Sequence, residues 1–289
     1  MIKLPVLFAN KKKYGIIKNI INNMVGDFMG RIIAFANQKG GVGKTTTCVN
    51  MASYMALMGK RVLLIDLDPQ GNATSNLGFS KDGKYNSIYQ AMSQEMPVND
   101  CIYDTKVPGL QIIPSNIDLA GIEVELVYMT QREYVIKKIF DEIKNNYDFI
   151  TIDCPPSLGL LTINAFTGSD AVIIPIQCEF FALEGLSQLM NTIRLVKKKL
   201  NSSISIDGVV LTMRDSRSNL GKQVAEEIKK FFAGTVFENT IPRNVRLAEA
   251  PSYGEPICIY DKGCVGAKAY KNLTEEYFLK NNISYKVLN

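Results

Sequence analysis

Residues 38–47 read QKGGVGKTTT, placing three glycines, two lysines and three threonines within ten positions. Glycines at 40, 41 and 43 let successive backbone N–H groups converge on one point, a geometry that suits phosphate oxygens. Lys44 is spaced to reach the β- and γ-phosphates of a nucleotide, and the Thr45 hydroxyl to ligate Mg2+. Val42 and Thr46 complete the run and count with the cradle. Without a ligand the same residues are a glycine-rich turn. Two acids lie further on: Asp66 closes VLLID and Asp153 closes FITID. Asp153 suits the holding of Mg2+ through its waters, and Asp66 the orientation of an attacking water. Asp68 is read as a brace for the loop that follows. Phosphoryl transfer depends on positioning and charge stabilisation, so a carboxylate, a lysine and a metal suffice. For each acid the alternative is a helix cap or a structural ion pair.

The elements that must position these residues follow a strand–helix alternation. RIIAFAN precedes the glycine run, and a helix over 45–58 follows it, stopped by Gly59. RVLLID, YDFITID (147–153), DAVIIPI (170–176) and IDGVVLTM (206–213) are continuous apolar runs, the mark of parallel strands covered on both faces. Helical patterns lie at 131–146, 183–200, 219–232 and 265–280. The expected fold is α/β, a doubly wound, mostly parallel sheet with helices on both faces. Acids at the carboxyl ends of adjacent parallel strands point into the crevice where phosphate ligands bind.

The 289-residue chain has no histidine, which excludes imidazole bases, histidine metal sites and Ser-His-Asp triads. Its six cysteines form no C-x-x-C pair and read as reduced, packed thiols. Net charge is +5, but residues 1–28 hold five lysines against Asp27, leaving 28 basic and 27 acidic residues in the rest. Nucleic-acid binding by the main body therefore needs a local patch. No apolar run approaches a membrane span, and MIKLPVLFANKKK fails as a secretory signal, so a cytoplasmic protein is expected. Residues 1–28 are read as an extension and 29–289 as a single domain. Within the extension, Ile16, Ile17, Ile20, Ile21, Met24, Val25 and Phe28 recur at helical spacing. That stretch is either an interfacial membrane helix or partner helix, or no part of the fold, with Met29 the expected physiological start.

The run KGGVGKTT resembles the deviant Walker A motif K-G-G-x-G-K-T-T of the class that holds ParA/Soj partition ATPases, MinD and the nitrogenase iron protein. LIDLDPQGNATSNLG, TIDCPPSLGLLTINA, LTMRDSRSNLGKQV and IPRNVRLAEAPSYGEPICIYD narrow the resemblance to the ParA/Soj group, spread across nearly all of 31–270. That resemblance implies a P-loop ATPase using ATP and Mg2+, with Asp153 in the Walker B role. It implies an ATP-sandwich homodimer in which Lys39 reaches the partner's nucleotide. It gives Pro242 and Asn244 to the adenine pocket, Arg217 and Arg246 to non-specific double-stranded DNA, and a ParB-type centromere-binding partner that stimulates hydrolysis. A nucleoid-associated protein without stable membrane association is expected. The alternative is a MinD-like membrane-cycling positioning ATPase, for which the tail EEYFLKNNISYKVLN lacks a basic amphipathic pattern. An iron–sulfur carrier lacks its paired cysteines, and a dethiobiotin synthetase-like ligase gives no reason for Arg217, Arg246 and DPQGN.

Overall fold

Successive residues of each short apolar strand enter opposite cores. In β1 (Arg31–Phe35), Ile32 and Ala34 join one cluster while Ile33 and Phe35 join the other. The same split divides Leu63 and Ile65 from Val62 and Leu64 in β2 (Val62–Asp66), and Ile150 and Ile152 from Phe149 in β5 (Phe149–Asp153). A strand buried on both faces must be largely apolar, which is why these runs do not alternate with polar residues; the buried Thr151 in β5 turns its hydroxyl to the Leu63 carbonyl.

The computed structural model describes residues 30–179, 182–215 and 217–288. The extension 1–28, its helical pattern and the Met29 start lie outside the described residues. With β3 (Tyr103–Asp104), β4 (Leu110–Ile113), β6 (Ala171–Gln177) and β7 (Ser205–Thr212), the strands form one sheet ordered β3-β4-β2-β5-β1-β6-β7. All neighbours pair in parallel except β3 with β4. The doubly wound, mostly parallel sheet read from the sequence is therefore what forms. No helix among the described residues is long and apolar enough to cross a membrane.

The first helix, α1 (Lys44–Leu57), starts at the end of the glycine run and stops at Gly59, whose N–H donates to the Ala56 carbonyl. The short helices α2 (Asn72–Asn76) and α3 (Ile88–Met92) follow β2, and α4 (Leu119–Val127) follows β4. The stretch 131–146 is not one helix: α5 (Val135–Ile143) is flanked by 3-10 turns at Arg132–Tyr134 and Lys144–Asn146. Gln131, at φ 57°, turns the chain before it. Helix α6 (Leu160–Gly168) follows β5, α7 (Ala182–Lys199) follows β6, and α8 (Asn219–Phe231) is capped by Ser218 Oγ, which accepts from Gly221 N. The short α9 (Val245–Glu249) and α10 (Ile257–Tyr260) precede α11 (Val265–Lys280), whose cap is the Cys264 sulfur accepting from Ala267 N at 3.3 Å. Helix α11 lies beside α1, with Tyr270, Leu273, Tyr277 and Phe278 fully buried.

Candidate nucleotide site

The turn from β1 into α1 is held open from outside. Asn37 donates its side-chain amide to the Pro175 carbonyl at 2.8 Å and accepts from Lys39 N at 3.0 Å. The Thr212 hydroxyl, at the end of β7, donates to the Val42 carbonyl at 2.7 Å. Gly43 sits at φ 83°, a left-handed conformation that any side chain would strain, and its carbonyl accepts from Thr47 N. The loop thus reaches α1 with its backbone N–H groups at a helix N-terminus, where the axial dipole adds positive potential. At Gly40 and Gly41 a Cβ would meet nothing within 4 Å, so the cradle opens outward there. Lys44 is buried at the first turn of α1, with Thr45 and Thr46 half-buried behind it.

The register of the sheet brings the two strand-end acids to this loop. Asp153 pairs with Asp66 across β5 and β2, and with Phe35 across β5 and β1. Both acids are fully buried, yet their surroundings differ. Asp66 Oδ2 accepts from Thr74 N at 2.8 Å and from the Thr74 hydroxyl at 2.7 Å, while Oδ1 accepts from Asp68 N at 3.2 Å. Asp66 therefore braces the loop running into α2, the part expected of Asp68. Asp68, 5% exposed, uses Oδ1 to accept from Gln70 N, and its other oxygen has no partner among the described residues. Burial, against the pull of those bonds, raises the Asp66 carboxyl to about 6.

Asp153 is the contrary case, because neither of its buried oxygens has a hydrogen-bond partner. Burial, then the charge of Asp66, pushes its carboxyl well above the usual range, against the pull of the Thr45 hydroxyl and the Lys44 ammonium. A buried carboxylate without a partner is costly unless something else satisfies it. A magnesium ion would answer that need. The ion keeps several waters and takes one or two protein ligands beside substrate phosphates. Thr45 and Asp153 fit that donor set, and the described residues hold no cluster of three cysteines or carboxylates that would cage a metal outright.

Lys39 does not turn into its own loop. Its ammonium lies 2.9 Å from Glu179 Oε2, and Glu179 Oε1 accepts from the Gln177 side chain at 2.6 Å. Pro242 bridges to Arg214 beyond β7, and Asn244 Oδ1 caps α9 by accepting from Leu247 N, leaving its amide N–H groups available. Both predicted DNA-contacting arginines sit in this part of the chain and are paired. Arg217 meets both oxygens of Asp215 at 3.1 Å with its side chain 90% exposed, and Arg246 meets Glu249 at 3.0 Å and Asp261 at 3.5 Å. Sequence reasoning did not single out Asn37, Thr74, Thr212 or Glu179. Of these, Thr74 had the clearest signal, since it lies within the DPQGNAT run that follows Asp66.

A family model described as an AAA domain matches residues 30–206. The sporulation initiation inhibitor protein Soj of Bacillus subtilis is 57% identical over 86% of this chain and 98% of its own. The chromosome partitioning protein ParA of Caulobacter vibrioides is 49% identical over 85% of this chain and 93% of its own. Among solved structures, cobyrinic acid a,c-diamide synthase from Mycobacterium smegmatis with bound ADP and magnesium aligns with TM-score 0.77 and 33% identity, over 90% of this chain and all of that one. With the phosphate loop, the paired strand-end acids and relatives of this identity over nearly their whole length, the chain belongs to the ParA/Soj family of chromosome-partitioning ATPases.

Proposed function

We propose that this ATP hydrolase is a Mg2+-dependent switch of DNA partition: ATP closes a homodimer, the dimer holds double-stranded DNA without sequence preference, and hydrolysis releases it. The observation that carries this reading is the buried, partnerless Asp153 carboxylate facing Lys44 and Thr45 at a glycine-rich helix start. Such a site is incomplete until phosphates and a metal are bound. Lys44 and the loop amides bind the phosphates, and Thr45 with Asp153 would hold Mg2+, which neutralises charge developing on the phosphoryl oxygens. Asp66 was the expected water-orienting acid. Its three accepted hydrogen bonds commit it to the loop, so we assign the water to Asp68, which keeps an oxygen free. Pro242 packs on the base and the Asn244 amide N–H groups donate to its edge. Lys39 leaves Glu179 to reach the partner's nucleotide, and Arg217 and Arg246 meet DNA phosphates. A ParB-type partner accelerates the cycle.

Sedimentation velocity of the full chain with Mg-ATP, with ADP and without nucleotide tests the reading. Dimers with ATP alone, and DNA fragments of unrelated sequence co-sedimenting only with them, are expected. A protein that stays monomeric in Mg-ATP, or binds DNA equally without nucleotide, removes the switch.

A further inference from the structure

The loop that carries Asp68 is a tight turn held from outside. Gly71 N donates to the Asp68 carbonyl at 2.8 Å, closing a turn over Asp68, Pro69, Gln70 and Gly71. Asp, Pro and Gly at its first, second and fourth places suit a type I turn. Gln70 N donates to Asp68 Oδ1 at 3.0 Å, and that bond sets which way the carboxyl faces and which oxygen stays free. On the exposed side of the turn, the Gln70 carbonyl accepts from the Lys81 ammonium at 2.8 Å. One bond to its N–H and one to its carbonyl thus restrain both backbone torsions of Gln70.

The Lys81 stem lies against the bare Cα of Gly71. A Cβ there would stand 2.5 Å from Lys81 Cδ and 3.1 Å from its Cγ. Gly71 also sits at φ 60°, so this position needs glycine for its backbone and for the lysine packed on it. Lys81 itself extends from an anchored base. Phe79 N donates to the Thr74 carbonyl at 3.1 Å, and the Phe79 ring packs on Tyr85 and Tyr103 with centroids 5.1 and 6.1 Å apart. The second lysine of the segment goes elsewhere: the Lys84 ammonium lies 5.4 Å from the centre of the Tyr85 ring.

An exposed bond from lysine to a carbonyl adds little to stability, but it acts here on geometry. Displacing a water-orienting group by an ångström costs about a hundredfold in rate. We propose that Lys81 is a positioning residue for hydrolysis: through the Gln70 carbonyl it keeps the Asp68 turn closed and the free carboxylate oxygen aimed at the attacking water. The catalytic half of this proposal rests on the assignment of the water to Asp68 made above, and the hold on the turn does not.

Lys81→Met keeps the stem and removes the ammonium. In the full chain with Mg-ATP it should lower kcat about tenfold, with KM for ATP within about twofold of the parent's. Lys84→Met, the same change of charge three residues away, should leave both constants within about twofold. Lys81→Arg, which keeps a donor, should recover most of the lost kcat. In an Asp68→Ala background Lys81→Met should have no further effect, because the group it positions is gone. Hydrogen exchange of the peptide holding the Gln70 and Gly71 amides, followed by mass spectrometry without nucleotide, should quicken about threefold or more in Lys81→Met and not in Lys84→Met. Exchange at the parent's rate in Lys81→Met overturns the hold on the turn. Faster exchange with kcat unchanged overturns its catalytic consequence, as does a raised KM with kcat kept. A loss of equal size in the Asp68→Ala background means that the lysine acts on another group, which also overturns the proposal. If Asp68→Ala alone hydrolyses ATP at the parent's rate, the water assignment fails, while the exchange rates still decide whether Lys81 holds the turn.

Discussion

Asp66 and Asp68 are two positions apart on one strand end, yet their hydrogen bonds give them different work. Asp66 accepts from Thr74 twice and from Asp68 N, while Asp68 accepts once, from Gln70 N. Asp68→Ala is therefore expected to lower turnover by about a hundredfold or more, the usual effect of removing a positioned base, with ATP affinity kept. Asp66→Ala should lower the melting temperature together with turnover, because it frees the loop. A variant Asp66→Ala that folds with the parent's stability and loses only turnover returns the water to Asp66. The raised Asp66 carboxyl has a further consequence. The folded state keeps its proton up to about pH 6, whereas an unfolded chain releases it near 3.8. Stability from this group is thus present below about pH 4 and lost as pH rises through 6. Without nucleotide and Mg2+, the melting temperature of Asp66→Asn relative to the parent should climb between pH 4 and 7, and a flat difference contradicts the raised value. The phosphate loop and both strand-end acids were legible because residue type, spacing and strand position coincide there. Which acid keeps a free oxygen was not, since that depends on where the Thr74 side chain turns.

Between elements, close approach matters more than propensity. A Cβ on Gly208 in β7 would lie 1.9 Å from Phe237 Cε2, so that ring packs where any other residue would stand. Gly208→Val should cost about 3 kcal/mol, the upper range for overpacking, read as a lowered urea midpoint. The long parallel strands and the helices at 45–58, 183–200, 219–232 and 265–280 were readable from apolar runs and helical spacing. The edge pair β3–β4 was not, because LQII and YD are too short to carry a period. The segment 131–146 was over-extended: its apolar spacing persists while Gln131, at φ 57°, and two 3-10 turns interrupt the α-helix.

For the whole molecule, the charge balance limits how the DNA binding proposed above could work. With 28 basic and 27 acidic residues from 29 onward, a few side chains would have to dominate such binding, and Arg217 and Arg246 already carry Asp215, Glu249 and Asp261 as counter-ions. Changing both to alanine should leave ATP-dependent dimerisation intact and weaken DNA binding about equally on any sequence. The salt dependence should flatten by roughly one unit of slope for each phosphate that the arginines no longer neutralise. Unchanged affinity and slope would assign the DNA site elsewhere. Lys39→Gln should bind ATP and remain monomeric, and ATP-dependent dimers of that variant in sedimentation would contradict the cross-subunit role.

In the dimer proposed above, the Lys39–Glu179 pair would make association an exchange of counter-ions rather than the addition of one. Both side chains are substantially exposed, so the bond is a weak one and gives way readily. Once the phosphate that attracts the lysine has departed, the carboxylate, still steadied by Gln177, is there to take it back. In that dimer the pair would act as a soft return spring, resisting closure slightly and favouring reopening after each turnover. Glu179→Gln, which keeps the shape and removes the charge, should lengthen the lifetime of the dimer after hydrolysis. In a subunit-exchange measurement, a lifetime equal to the parent's would mean that no spring acts there.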